Sequence, residues 1–172
     1  AFLDGSLYKC LIHVVAEYLA QSLVDSIIDP LIVFYFVSYS IRIEYDGSPF
    51  VGWQRQVNGI SVQQVIEEAA TQLCGNAIQV QGAGRTDSGV HATGQVAHLD
   101  LPKKFDENRV TEALNALIGD WPVTILKARA VEESVHARFS ATGRQYLYRI
   151  LARRTPPALA LGLSLIHISE PT

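Results

Sequence analysis

Ile78-Gln79-Val80-Gln81-Gly82-Ala83-Gly84-Arg85-Thr86-Asp87-Ser88-Gly89-Val90-His91-Ala92-Thr93-Gly94-Gln95-Val96-Ala97-His98-Leu99 is the stretch on which the reading of the fold turns. Its two ends read as strands: Ile78 and Val80 alternate with polar neighbours, and Val96 to Leu99 resumes an extended, largely apolar pattern. Between them stand Gly82, Gly84, Gly89 and Gly94. Glycine reaches backbone angles closed to other residues, so this run predicts a tight loop that a ligand can approach closely. Asp87 then sits at the tip between two extended segments.

Outward from the loop the periodicities are regular. Upstream, Ile41, Ile43 and Tyr45 alternate with Ser40, Arg42 and Glu44, the pattern of a half-buried strand, and Asp46-Gly47-Ser48-Pro49 ends it with turn residues. Ser61 opens a helix, with Gln64 placed to complete a capping box; Val62, Val65, Ile66, Ala69, Ala70 and Leu73 form its apolar face and Gly75 stops it. Downstream, Asp106 caps a second helix whose apolar face is Val110, Ala113, Leu114 and Leu117, ending near Gly119, and Pro122 to Val131 returns to strand. Strand, helix, strand, strand, helix, strand is the split βαβ order of a ferredoxin-like domain. The predicted class is therefore α+β, an antiparallel sheet with helices on one face and the other face free.

Residue types narrow what Asp87 can do. A Walker-type phosphate loop needs Gly-Lys-Ser/Thr, and no lysine lies between Val80 and Gln95. A dinucleotide fingerprint needs the glycines to open a helix, whereas here a strand follows. Two readings stay open: a nucleophile or general base, with Arg85 close enough to favour the ionised carboxylate, or a turn residue that caps backbone amides.

At 172 residues and 48% hydrophobic the chain can bury a sizeable core and need be only one domain. A net charge of -3 gives no global sign of nucleic-acid binding, but the charge is uneven. Residues 1–40 hold one lysine against four acids, while Ser134 to Arg154 holds five arginines and no acid. There Arg138, Arg144, Arg149, Arg153 and Arg154 interleave with Phe139, Tyr146 and Tyr148. As a strand, that segment points Tyr146, Tyr148 and Ile150 one way, and it reads either as a packed tyrosine-rich strand or as an RNA surface of phosphate partners and stacking rings. Trp53-Gln54-Arg55-Gln56 is equally divided between a packed tryptophan and an RNA-facing loop with Arg55 on phosphate. Cys10 and Cys74 form no disulfide or metal pattern and the five histidines show no ligand spacing, so a reducing cytoplasm is the default. A helical stripe at Leu11 to Leu23 is broken by His13, Glu17 and Gln21, and Leu31 to Val37 is far short of the ~20 residues of a membrane span. No basic start or small-residue cleavage site marks a signal peptide.

Three blocks in order and spacing carry a resemblance. Gly84-Arg85-Thr86-Asp87-Ser88-Gly89-Val90-His91-Ala92, Glu44 to Gly47 with Gly52-Trp53-Gln54-Arg55-Gln56, and His136 to Thr142 with Tyr146-Leu147-Tyr148 resemble tRNA pseudouridine synthases of the TruA type, over about Tyr39 to Arg154. The resemblance implies the catalytic half of such an enzyme, isomerising uridine to pseudouridine in the anticodon stem-loop with neither cofactor nor metal. It makes Asp87 the nucleophile and has Arg85 position the carboxylate or fill the space of the extruded base. Tyr146 holds the uracil ring, Tyr148 is structural, and Arg55, Arg138, Arg144 and Arg149 are candidate RNA contacts. His91 is read as a loop-fixing or substrate-positioning group and His98 as a strand residue satisfied locally. The implied partner is tRNA, without a membrane, in the cytoplasm, and full-length members are homodimers. Residues 1–38 and 155–172 fall outside the resemblance, and the expectation is an N-terminal portion whose second half is missing. The alternative is a catalytically silent RNA-binding module built on the same sheet.

Overall fold

A computed structural model of the chain describes residues 36–151 together with 155, 158, 164 and 165. The helical stripe at Leu11 to Leu23 and most of the 155–172 tail lie outside the described residues. The elements are β1 (Val37–Tyr45), α1 (Val62–Cys74), β2 (Val80–Gly82), β3 (Ala92–Leu101), α2 (Glu107–Ile118) and β4 (Val123–Val131). Their sheet has the order β2-β3-β1-β4 with every pairing antiparallel, the ferredoxin-like arrangement read from the sequence. β1 starts at Val37, two residues before the resemblance begins. Among the described residues no helix is long and apolar enough to cross a membrane.

The alternation in β1 sorts its side chains as the pattern requires. Tyr39, Ile41, Ile43 and Tyr45 are buried, while Arg42 and Glu44 are exposed on the opposite face. Ile41 pairs with Ala97 and Ala128, and Tyr39 with Leu99, so one face of the sheet presents a continuous apolar surface. Onto it both helices bring buried side chains: Val62, Val65, Ile66, Ala69 and Ala70 from α1, and Val110, Leu114 and Ile118 from α2. Burial of such aliphatic side chains, at about 1.5–3 kcal/mol each, is the main stabilising term. Tyr39 keeps its hydroxyl satisfied inside this core by donating to the Phe105 carbonyl at 2.7 Å and accepting from the Phe105 amide at 2.8 Å.

Three details depart from the sequence reading. Ser61 Oγ accepts from the Gln64 amide as expected, but the Gln64 side chain donates to Glu68 one turn on, so only half of the capping box is seen. In α2 the buried stripe is Val110, Leu114 and Ile118, and Leu117 is 37% exposed, because the contacting ridge follows the four-residue row. The strand expected around Tyr146 does not form. Residues 141–149 are irregular, and only Ile150–Leu151 (β5) is extended, in a two-stranded parallel ladder with Ser164–Leu165 (β6). Tyr146, Leu147 and Tyr148 are 64%, 83% and 86% exposed.

The reason for that last departure lies at the sheet edges. An alternating segment becomes a strand only where a free ladder is offered to it. At β2 the outward amide and carbonyl of Val80, and the amide of Ile78 before it, are already taken by one row of α1: Gln63 Nε2 donates to the Val80 carbonyl, Glu67 Oε1 accepts from the Val80 amide and Thr71 Oγ1 from the Ile78 amide. At β4 one row of α2 does the same, with Glu107 accepting from Ala130, Thr111 from Ala128 and Asn115 bonding both the amide and the carbonyl of Ile125. The Asn115 pair sits where the β1–β4 register shifts between Arg42 and Ile43.

Candidate active site

The loop between β2 and β3 is clamped along its backbone while its acid projects outward. At its base, the Ala83 amide donates to the Val96 carbonyl at 2.7 Å and Gln95 Nε2 donates to the Gly84 carbonyl at 2.8 Å. Arg144 closes on the same point, with Nε and Nη2 both donating to the Ala83 carbonyl at 3.2 and 2.7 Å. At its crown, the Trp53 amide donates to the Thr86 carbonyl, Tyr45 Oη and Thr86 Oγ1 share a 2.8 Å hydrogen bond, and Ser88 Oγ donates to the Phe50 carbonyl. Burial raises the Tyr45 hydroxyl pKa against the opposing pull of the Thr86 and Gln95 bonds, so it stays a neutral partner. Trp53 is buried with its ring against Gly82, where a Cβ would lie 2.6 Å from the indole. The packed reading of Trp53 is therefore the one the fold adopts.

Asp87 is exposed at the crown of this frame, and its carbonyl accepts from the Val90 amide in a tight turn. Arg85, two residues away, is also exposed but forms no ion pair with it, so the expected charge pairing is absent from this arrangement. His91 fixes the far arm of the loop. Its Nδ1 lies 3.2 Å from the Gly47 amide and 3.0 Å from Asp46 Oδ1. A single nitrogen serves these in turn: unprotonated, it accepts from Gly47, and protonated, it donates to Asp46. The Ser48 hydrogen bonds hold the Asp46 carboxyl below its usual range.

The remaining named residues are spread around this frame. Arg55 pairs with Glu67 at 3.3 Å, and Arg138 lies over the Phe139 ring at 5.9 Å. Arg144 spends two of its nitrogens on Ala83 and one of them also on the Arg138 carbonyl, leaving Tyr146 two residues beyond an anchored position. Tyr146 and Arg149 are exposed. His98, on the sheet face opposite the helices, is buried under His136, with the rings 4.6 Å apart and its Nδ1 accepting from the Ala137 amide. Desolvation first and the neighbouring His136 second depress its pKa. Among the described residues no cluster of His, Cys, Asp and Glu could hold a metal ion. An open cavity of about 850 Å³ lies between α1, β2 and Arg55, but no residue of the 83–91 loop lines it.

A family model described as tRNA pseudouridine synthase matches residues 41–140, which include β1 from Ile41 onward, both helices, the clamped loop and β4. The chain belongs to the tRNA pseudouridine synthase family. Among curated relatives it is 54% identical over 121 residues to tRNA pseudouridine synthase A of Paramagnetospirillum magneticum, covering 70% of this chain and 47% of that protein. It is 55% identical over 126 residues to tRNA pseudouridine synthase A of Rhodospirillum rubrum, covering 73% and 45%, and 52% identical over 130 residues to that of Parvibaculum lavamentivorans, covering 75% and 53%. The chain thus spans about half the length of the curated relatives it matches.

For this pseudouridine synthase domain, the sequence reading located the loop and its acid but missed the side chains that hold the loop. In the sequence Tyr45 carries only a strand signal, and no local pattern marks Gln95. For Glu67 a signal was available: an acid at a helix position flanked by Ile66, Ala69 and Ala70 faces inward and needs partners.

Proposed function

We propose that the chain supplies the catalytic half of a tRNA pseudouridine synthase acting on uridines of the anticodon stem-loop, with Asp87 as the nucleophile. The observation that carries this is an exposed carboxylate at the crown of a loop whose backbone is hydrogen-bonded at both base and crown. Holding a reacting group in place before the substrate arrives is worth far more than any single contact made afterwards. The target base leaves its stack to reach this loop. The uracil N1–ribose C1′ bond breaks, the ring turns, and a C5–C1′ bond forms; C5 loses its proton and N1 gains one, so the change is an isomerisation that needs no oxidant or co-reactant. Asp87 attacks either the ring or the ribose carbon and is released unchanged. Tyr146 holds the ring, Arg85 orients the carboxylate or occupies the space of the extruded base, and Arg138 and Arg149 meet phosphate. The whole protein acts on tRNA as a homodimer, which light scattering of the full-length form tests directly.

Asp87→Asn separates this role from loop capping. Asparagine keeps the shape and caps turns nearly as well, but lacks the nucleophilic oxygen. Turnover, followed by tritium release from 5-tritiated uridine in tRNA, is lost while tRNA affinity is kept; turnover near that of the parent chain would remove Asp87 from the chemistry.

One observation favours a second reading, an RNA-binding sheet without turnover. Asp87 and Tyr146 are both exposed, so the described residues supply one wall of a site rather than an enclosure. Binding of tRNA by the chain with no tritium release is the outcome that selects it.

A further inference from the structure

Glu67 is the only carboxylate that the fold buries among the described residues. A carboxylate taken out of water is costly unless its oxygens are matched, and here each one is. Oε1 accepts from Gln63 Nε2 at 3.0 Å and from the Val80 amide at 3.2 Å, and Oε2 accepts from Arg55 Nη1 at 3.3 Å. Gln63 completes the same knot: Nε2 donates to the Val80 carbonyl, Oε1 accepts from the Arg55 amide, and its own amide donates to the Trp53 carbonyl. Two chain segments that are distant in sequence, 53–55 and Val80, are thereby tied to one point on α1.

Both segments run directly to the reacting loop. Val80 stands two residues before Gly82, where the loop begins, and Trp53 rests on Gly82 and donates its amide to the Thr86 carbonyl, next to Asp87. A shift of Arg55 moves the support under the crown, and a shift of Val80 moves the base. We propose that Glu67 is a positioning residue for Asp87, setting the height and angle of the loop through Arg55 and Val80 without touching the substrate. The inference rests on the reading of Asp87 as the reacting carboxylate. It also gives Arg55 a task beside the phosphate contact expected of it, since Nη1 is held by Glu67 while the side chain stays 55% exposed.

The test uses the full chain with Glu67→Ala, Glu67→Gln and Arg55→Met. Amide exchange without RNA compares Trp53, Ala83 and Val90, whose amides hold the loop, with amides of α2 and β4. In Glu67→Ala the loop set exchanges on the order of tenfold faster while the α2 and β4 set does not follow. Glu67→Gln keeps an acceptor for Val80 and loses the ion pair, so it loosens the Trp53 amide to the same extent as Arg55→Met and spares Ala83. In turnover of tRNA uridine, Glu67→Ala loses on the order of 100-fold in rate with affinity nearly unchanged, the cost of a misplaced reacting group. Exchange that rises equally in every element, or that stays at the parent level in the loop, overturns the proposal. If the parent chain itself releases no tritium, the proposed reaction of this chain fails, and the exchange comparison alone still decides whether Glu67 positions the loop.

Discussion

Replacing Gly52 by alanine tests whether the 46–56 segment holds the 83–91 loop by close backbone contact. Gly52 has φ +121°, a conformation that side-chain-bearing residues rarely adopt, and a Cβ built there lies 2.6 Å from the Thr86 carbonyl oxygen and 3.3 Å from the Asp87 carbonyl carbon. The backbone term alone costs about 1–3 kcal/mol. The clash adds to it, because its relief requires Thr86 to move and the Trp53 amide bonds to that same oxygen at 3.0 Å. A loss of about 2 kcal/mol, read at a slope of about 2 kcal/mol per M of urea, lowers the unfolding midpoint by about 1 M. Gly143→Ala is the matched control, since its added Cβ meets nothing within 4 Å. Urea unfolding followed by far-UV circular dichroism measures both. A Gly52→Ala midpoint equal to that of the parent and of Gly143→Ala would show that the two segments are not in the contact described, and the clamped-loop account of Asp87 would go with it.

Arg149→Ala is expected to weaken tRNA binding and reduce the slope of log affinity against log salt by about one, as loss of a phosphate contact does. Arg144→Ala, by contrast, frees the Ala83 carbonyl, and is expected to speed exchange at the loop base before any RNA is added; equal salt slopes and equal exchange in the two variants would contradict the division. Because burial depresses the His98 pKa, the unfolded chain binds the proton more readily. Stability is therefore fully present above about pH 6.5 and falls as pH drops below it towards the folded pKa. His98→Gln is expected to lack that part of the decline in urea midpoint between pH 7.5 and 5.5, and a decline of the same size in the variant would assign it elsewhere. Asn115→Ala removes partners from both the amide and the carbonyl of Ile125, costing about 2 kcal/mol, which exceeds the few tenths that alanine gains in a helix; a thermal unfolding midpoint at or above the parent's would refute that role.

How far the sequence was legible depended on whether the information was local. The alternation of Ile41, Ile43 and Tyr45, the Ser61 and Asp106 caps and the Gly75 stop are set by neighbours within four residues, and each appears where its pattern places it. The glycine spacing around Asp87 likewise made the loop readable. What joins Tyr45 to Thr86, Glu67 to Val80 or Arg144 to Ala83 crosses dozens of residues or a change of element, and no periodicity encodes it. The Tyr146 segment misled for a related reason: alternation states which way side chains would point if a strand forms, but not whether a pairing edge is available. Leu117 shows the same limit on a smaller scale, since a helix face read from one helix ignores the ridge along which its neighbour packs.

Capping of outward backbone groups on both sheet edges by helix side chains bears on how the chain behaves in company with itself. Open strand edges are the usual starting point of intermolecular β-stacking, and many proteins blunt them with charge, proline or bulges. Here two rows at four-residue spacing, Gln63-Glu67-Thr71 and Glu107-Thr111-Asn115, act as chemical selvedges, each finishing a raw margin with short polar groups fixed to a rigid rod. The protection exists only once the helix has docked. A chain whose strands pair before α1 or α2 settles shows bare margins for that interval, so the helices govern solubility during folding as well as the strength of the core. Crowded refolding should then be most hazardous for variants that slow helix docking, even those whose final stability is unchanged.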